Sequence, residues 1–227
     1  MLVKINKFLS DKQLESLDGI MRVVPPIDGK DTAGTEFRDK KSSKVYVSGS
    51  IPKTIFDTPN QDVVSSQVTC GEFAPLETTI ATYEKGDFYD WHLDQMFYGG
   101  KTSKVAFTIW LNNPDEYEGG CLKIKHDYGI ERLKEPAGTA VFYPTGMLHK
   151  VTEVTSGKRN VVVGVLDCFI GSPHHRYIIT ELSKSINDLW DYIQVTQCDS
   201  DSLQSLEDVF SRLRYVEAEL KRRNAKL

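Results

Sequence analysis

TTIATY (78–83), FYDWHLD (88–94), KVAFTIWL (104–111), CLKIK (121–125), IERLK (130–134), TAVFYP (139–144), HKVTEV (149–154) and RNVVVGVLDCF (159–169) follow one another through the middle of the chain. EKGD, NNPDEYEGG, HDYG, EPAG, TGM and TSGK separate them. Short runs rich in β-branched and aromatic residues, punctuated by Gly, Pro, Asn and Asp, predict strands joined by turns. Eight such strands with no helical stretch between them indicate a closed or double-sheet β fold, not an alternating α/β sheet. A jelly roll, or double-stranded β-helix, with its core at about 76–169 fits the count.

Helices flank this core. Residues 8–22 place Leu14, Leu17 and Met21 at helical spacing behind Ser10, a suitable N-cap. VPPIDGKDTAGTEFRDKKSSK (24–44) is a loop by composition, and its 28–44 portion is a candidate lid or simply a mobile segment. Val45 to Val47 begin a strand-like patch. Beyond SPHHR, residues 177–194 carry Ile178, Leu182, Ile186 and Leu189 on a helix that CDSDS (198–202) breaks. A last helix from about Leu203 spaces Leu206, Leu213 and Leu220 seven apart, with Val209 and Val216 between them. That short a/d pattern either packs the helix on its own barrel or pairs it with a second copy as a homodimer. The expected fold is mainly β with flanking helices: a domain over 1–170 and a C-terminal helical extension over 171–227.

Composition narrows the function classes. The 227 residues are 40% hydrophobic and 26% charged, enough for a sizeable core. A net charge of -4 makes no electrostatic case for nucleic acid. The opening MLVKINKFLSDKQLESLDGI is amphipathic without a long apolar run, which argues against a signal peptide and a membrane span. Cys70, Cys121, Cys168 and Cys198 are scattered with no CxxC, as expected of reduced thiols in a cytoplasmic protein.

The chemistry concentrates in His92, Asp94, His149 and Arg159. On a strand, residues two apart share a face, so His92 and Asp94 can converge on one ion. His149 follows a strand and a turn and begins a new strand at the barrel rim. TSGK then makes a hairpin turn, and Arg159 starts the return strand. Two imidazoles and one carboxylate cap one face of a metal and leave the other open, which suits an iron(II) centre that binds an oxidant and a cosubstrate together. An arginine inside a barrel needs an anionic partner, either a protein carboxylate or a dicarboxylate ligand held by a forked contact. A zinc hydrolase also uses two His and one Asp, though it has no use for Arg159. A non-catalytic jelly-roll binding module is the third alternative. His126 lies in a turn, and His174 with His175 past the barrel, all as expected surface residues. Phe97 and Tyr98 in QMFYGGK (95–101) are candidates to wall a substrate and Gly99 with Gly100 to let it move, against an ordinary hairpin loop.

YEKGDFYDWHLD (83–94) resembles the Y-x-x-G-x-x-Y-x-x-H-x-D motif of iron(II)/2-oxoglutarate dioxygenases of the prolyl 4-hydroxylase class. PAGTAVFYPTGMLHKVTEVTSGKR (136–159), NNPDEYEGGCLKI (112–124) and DGKDTAG (28–34) are similar to stretches of the PKHD-type hydroxylases. The resemblance spans about 25–165, with the motifs in order. The group usually keeps a tryptophan after the arginine, where this chain has VVVGVLDC, and FIGSPHHR also departs from the pattern. The resemblance implies a double-stranded β-helix, iron(II), 2-oxoglutarate and dioxygen. It also implies hydroxylation of an unactivated C–H with release of succinate and carbon dioxide. It makes His92, Asp94 and His149 iron ligands and Arg159 the partner of the cosubstrate's distal carboxylate. Tyr83 becomes a candidate hydrogen-bond donor to 2-oxoglutarate or a core tyrosine; Trp110 becomes a pocket wall or plain core. L-ascorbate is the candidate reductant. A peptidyl proline, an amino acid or another small molecule is the candidate substrate.

Overall fold

The computed structural model describes residues 2–32, 39, 41–46, 51, 56, 61–65, 68, 75–94, 97–98, 101–196 and 199–225. Cys70, Gly99, Gly100, Cys198 and part of the 28–44 loop lie outside the described residues, as do the side chains of Phe97 and Tyr98. The chain forms two compact units, Leu2–Gln61 with Ala74–Asp167 and Asp62–Phe73 with Cys168–Leu227.

The first unit holds the strands β1 (Val3–Ile5), β2 (Ile27–Asp28), β3 (Lys41–Ser42), β4 (Lys44–Tyr46), β5 (Pro75–Tyr83) and β6 (Phe88–His92). The short pair β7 (Phe97–Tyr98) and β8 (Lys101–Thr102) follows, then β9 (Val105–Trp110), β10 (Tyr117–Gly119), β11 (Leu122–His126) and β12 (Gly129–Leu133). The series ends with β13 (Ala140–Pro144), β14 (His149–Val151), β15 (Val154–Gly157) and β16 (Arg159–Leu166). A seven-stranded sheet has the order β1-β13-β9-β16-β5-β4-β2, and a five-stranded sheet the order β12-β11-β14-β6-β3. All the pairings are antiparallel, as the jelly-roll expectation requires.

Both faces of the larger sheet are covered. Period-two alternation sends Tyr83, Trp110, Val141, Val161 and Val165 to one buried cluster with Leu122, Ile124 and Val151 of the smaller sheet. The opposite face presents Phe107 and Phe142, whose rings meet Phe56 and Phe8 edge-on at 6.2 and 5.8 Å. Such contacts add about 0.5–1.5 kcal/mol beyond area burial. All six residues of β9 are therefore buried, and VAFTIW is hydrophobic at every position but Thr108 instead of alternating. Gly164 is required on this face, because a Cβ there would fall 2.5 Å from Phe107 Cζ.

Helix α1 (Asp11–Val23) starts where Ser10 and Gln13 form a capping box, and buries Leu17. A single turn, α2 (Gln61–Val64), follows later in the chain.

The hairpin expected around TSGK does not form. β15, which contains part of it, pairs with β10; β14 belongs to the smaller sheet and β16 to the larger. Arg159 pairs instead with Tyr83 of β5. HKVTEV is likewise two strands, since β14 bulges between His149 and Val151 and ends there. β6 ends at His92, two residues before Asp94, because its partner β14 begins at His149. His126 is half-buried at the end of β11, and His174 and His175 are exposed as expected.

In the second unit, α3 (Pro173–Val195) and α4 (Ser200–Asn224) pack against each other. Trp190 meets Phe210 at 4.6 Å, and Leu220 packs on Ile170 and Ile179. Ser172 and Asp199 cap the two N-termini. Val209 and Val216 are exposed, so they do not share the leucine face that the a/d spacing assigned to them. A heptad spacing drifts around a 3.6-residue helix, and the side of α4 that carries Phe210, Glu217 and Leu220 meets α3. Among the described residues, no helix is long and apolar enough to cross a membrane.

Glu217, buried on α4, accepts from Ser183 of α3 and from Arg214 and Lys221 of its own helix. Burial alone would raise its carboxyl; Lys221, Ser183 and Arg214 outweigh burial and lower it below the ordinary 4.5. Its stabilising contribution is therefore present above pH 4.5 and lost as pH falls through the lower folded value. Glu217→Ala is expected to cost about 1–3 kcal/mol at pH 7 and to flatten the acid limb of the unfolding curve, read by circular dichroism.

Candidate active site

His92 closes β6 and His149 opens β14, and the antiparallel register places them opposite each other. Their ring centroids lie 4.2 Å apart. Asp94, just past the strand end, brings Oδ1 to 3.5 Å from His149 Nε2. One ligand atom from each of the three lies within 4.8 Å of the others. The two-apart spacing thus brings the pair together even though only His92 is on the strand.

The imidazoles are oriented from behind. His92 Nδ1 lies 2.7 Å from the carbonyl of Asp90, and His149 Nδ1 lies 2.9 Å from that of Met147. Each Nδ1–H is thereby committed to the main chain, which makes Nε2 the nitrogen that could ligate a metal. Tyr89 stacks on His92 at 3.4 Å, and Tyr143 meets His149 edge-on at 5.1 Å. Burial, with His149 beside it, lowers His92 to about 3. Burial also opposes charge on His149, but the Asp94 carboxylate and the Met147 carbonyl outweigh it and raise His149. Asp94 is lowered because the two histidines and Lys41 outweigh its burial.

These residues open on a cavity of about 650 Å³, a volume typical of small-ligand sites. Leu122, Val151, Val163 and Val165 form apolar wall; Thr79, Thr108 and Tyr143 add hydroxyls. Arg159 lies on the same wall with no exposure, and among the described residues none of its three side-chain nitrogens has a hydrogen-bond partner within 3.5 Å, although the guanidinium lies close enough to Tyr117 to act on its hydroxyl. Its guanidinium sits 5.1 Å from the ring centroid of Tyr83, which lines the cavity, and 5.9 Å from that of Trp110, which does not. Trp110 Nε1 and Tyr117 Oη are likewise buried with no hydrogen bond inside 3.5 Å among the described residues, and Trp110 and Arg159 both act on the Tyr117 hydroxyl. Gly120, at φ 59°, makes room for this group: a Cβ would meet Arg159 Cδ and Tyr117 Cε2 at 3.0 Å.

The residues fit the groups that the resemblance implies. Two imidazole nitrogens and a carboxylate suit a divalent metal with an open face, and a buried, unpaired guanidinium suits a carboxylate. Sequence reasoning missed Tyr117, Tyr143, Thr108 and Lys41, and Tyr89, a fixed position of the Y-x-x-G-x-x-Y-x-x-H-x-D motif, was given no role. Inward alternation along TAVFYP was a signal for Tyr143. Nothing marked Lys41, which stands among Lys40, Lys44 and Arg38 in a loop-like stretch.

A model of the 2OG-Fe(II) oxygenase superfamily matches residues 78–166. A PKHD-type hydroxylase of Rippkaea orientalis is 34% identical over 194 residues, covering 80% of this chain and 85% of its own. A 2OG-Fe(II) oxygenase family oxidoreductase from Burkholderia pseudomallei superposes with TM-score 0.57 at 17% identity, over 72% of this chain and 84% of its own. A Trichoplax adhaerens prolyl hydroxylase, solved with a hypoxia inducible factor peptide fragment, gives 0.53 at 13% identity, over 78% and 86%. The chain belongs to the 2OG-Fe(II) oxygenase superfamily and, within it, to the PKHD-type hydroxylases. It is a 2-oxoglutarate-dependent oxygenase.

In metal-free protein, imidazole resonances followed by NMR are expected to show His149 taking up its proton above the ordinary 6.5 while His92 stays neutral to about pH 3. A His92 that titrates near 6.5 would contradict its burial.

Proposed function

We propose that the chain is a hydroxylase in which His92, Asp94 and His149 hold iron(II) and Arg159 receives the distal carboxylate of 2-oxoglutarate. The observation that carries this is Arg159 itself, fully buried on the cavity wall with no carboxylate paired to any of its three side-chain nitrogens among the described residues. A buried charge left without a partner costs several kcal/mol, and a bound dicarboxylate removes that cost. A zinc hydrolase gives the arginine no such partner.

Bound iron(II) supplies the activation of dioxygen that couples decarboxylation of 2-oxoglutarate, to succinate and carbon dioxide, with hydroxylation of an unactivated C–H. The protein orients and excludes. The Asp90 and Met147 carbonyls fix both imidazole planes, and Asp94 adds the third donor and a negative charge. Tyr83 and Trp110 flank the guanidinium of Arg159 and hold its plane; Trp110 Nε1 and Tyr117 Oη offer further donors beside it. The valine and leucine walls keep water from the reacting carbon.

A peptidyl proline or an amino acid is the substrate class in keeping with the prolyl hydroxylases of similar fold. With this proposal go L-ascorbate as reductant, a cytoplasmic setting, a catalytic domain over 1–170 with a helical extension over 171–227, and a homodimer through the exposed Val209, Tyr215 and Val216 of α4.

Succinate formation that requires both iron(II) and 2-oxoglutarate is the first test, with a product carrying one added oxygen atom by mass spectrometry. Asp94→Ala is expected to abolish it, and unaltered 2-oxoglutarate decarboxylation in that variant would refute the assignment. Arg159→Leu is expected to raise the KM for 2-oxoglutarate by about tenfold to a hundredfold, the worth of a charge-assisted pair.

A further inference from the structure

The cavity wall carries a second buried cation. Lys41 lies on β3, paired with Tyr89 of β6, and is 8% exposed. Its Nζ donates to Thr32 Oγ1 at 2.7 Å and sits 4.8 Å from the ring centroid of Tyr89, the ring that stacks on His92. Among the described residues no carboxylate comes within 4.0 Å of it, although Asp94 and Asp28 act on it electrostatically from further away. An ammonium has three protons to place. Thr32 accounts for one, and the side chain faces the cavity beside His92 and Asp94.

Lys41 and Arg159 have separate surroundings. Arg159 stands on the larger sheet among Tyr83, Trp110 and Tyr117; Lys41 stands at the edge of the smaller sheet with Thr32 and Tyr89. One dicarboxylate engaged at Arg159 therefore leaves Lys41 with no carboxylate in contact among the described residues, Asp94 and Asp28 acting on it only from further away. A neutral amide oxygen would accept a proton from it without balancing that charge, whereas a carboxylate does both.

We propose that Lys41 anchors a carboxylate of the primary substrate, and that this substrate is a small α-amino acid, not an internal segment of a polypeptide. The proposal rests on the function proposed above, since the same cavity holds the metal and the cosubstrate. A volume of about 650 Å³ accommodates a small acid beside 2-oxoglutarate, and a free amino acid supplies the α-carboxylate that an internal peptide residue lacks.

The test is titration calorimetry on the full chain loaded with manganese(II) and 2-oxoglutarate, using the common α-amino acids and their α-amides as paired probes. At least one acid is expected to bind about tenfold or more tightly than its amide. Lys41→Met is expected to bring the pair to near parity, and Lys41→Arg to keep the preference. Should Lys41→Met fail to fold, Lys41→Gln reads the same loss. An absence of any acid-over-amide preference overturns the proposal. So does a preference that survives in Lys41→Met protein, or an equal loss of 2-oxoglutarate affinity that would place Lys41 at the cosubstrate. The preference is read without turnover, so it stands or falls separately from the succinate assay.

Discussion

A guanidinium buried inside a β sandwich, with no anion paired to it among the described residues, is the constraint around which the site is built. Arg159 is fully enclosed, and the surrounding groups accommodate it without neutralising it. Gly120 removes the Cβ that would crowd its methylene stem, and Tyr83 and Trp110 offer ring faces to its charge. Aromatic faces attract a cation by only about 0.5–2 kcal/mol, less than burial costs it. The folded chain therefore holds an electrostatic deficit that a carboxylate ligand can fill.

The histidine side of the site depends on a different kind of precision, that of strand register. His92 and His149 face one another because β6 and β14 pair there, and a one-residue slip would turn one imidazole to the other face of the sheet. Backbone carbonyls two residues before each histidine then set both rings. The same device, used twice, ties ring orientation to main-chain geometry and leaves little to side-chain freedom. The chain belongs to the PKHD-type hydroxylases, and solved structures at 13–17% identity share its fold.

Much of this was legible along the chain. Alternating β-branched runs and their turn residues marked the core strands within a few residues, because sheet burial imposes a period of two that survives without knowledge of partners. His92, Asp94, His149 and Arg159 stood out by residue type and order. Strand connectivity was not legible: TSGK has the composition of a hairpin turn, yet the strands around it join different sheets. Local composition encodes a change of direction, not the identity of the neighbour. Nor was the seam of α4, where Val209 and Val216 share the heptad spacing of the leucines but point to solvent.

Sequence alone determined the jelly-roll class, the helical ends and the set of metal-capable residues, because hydrophobic period and side-chain chemistry are local properties. Tertiary structure alone decided that Arg159 is buried and unpaired and that Tyr117 and Trp110 gather beside it. It also decided that Lys41, one of several lysines in a charged stretch, is enclosed on the cavity wall. Those outcomes depend on which strands meet across two sheets, and desolvation of a charge is a property of everything that surrounds it.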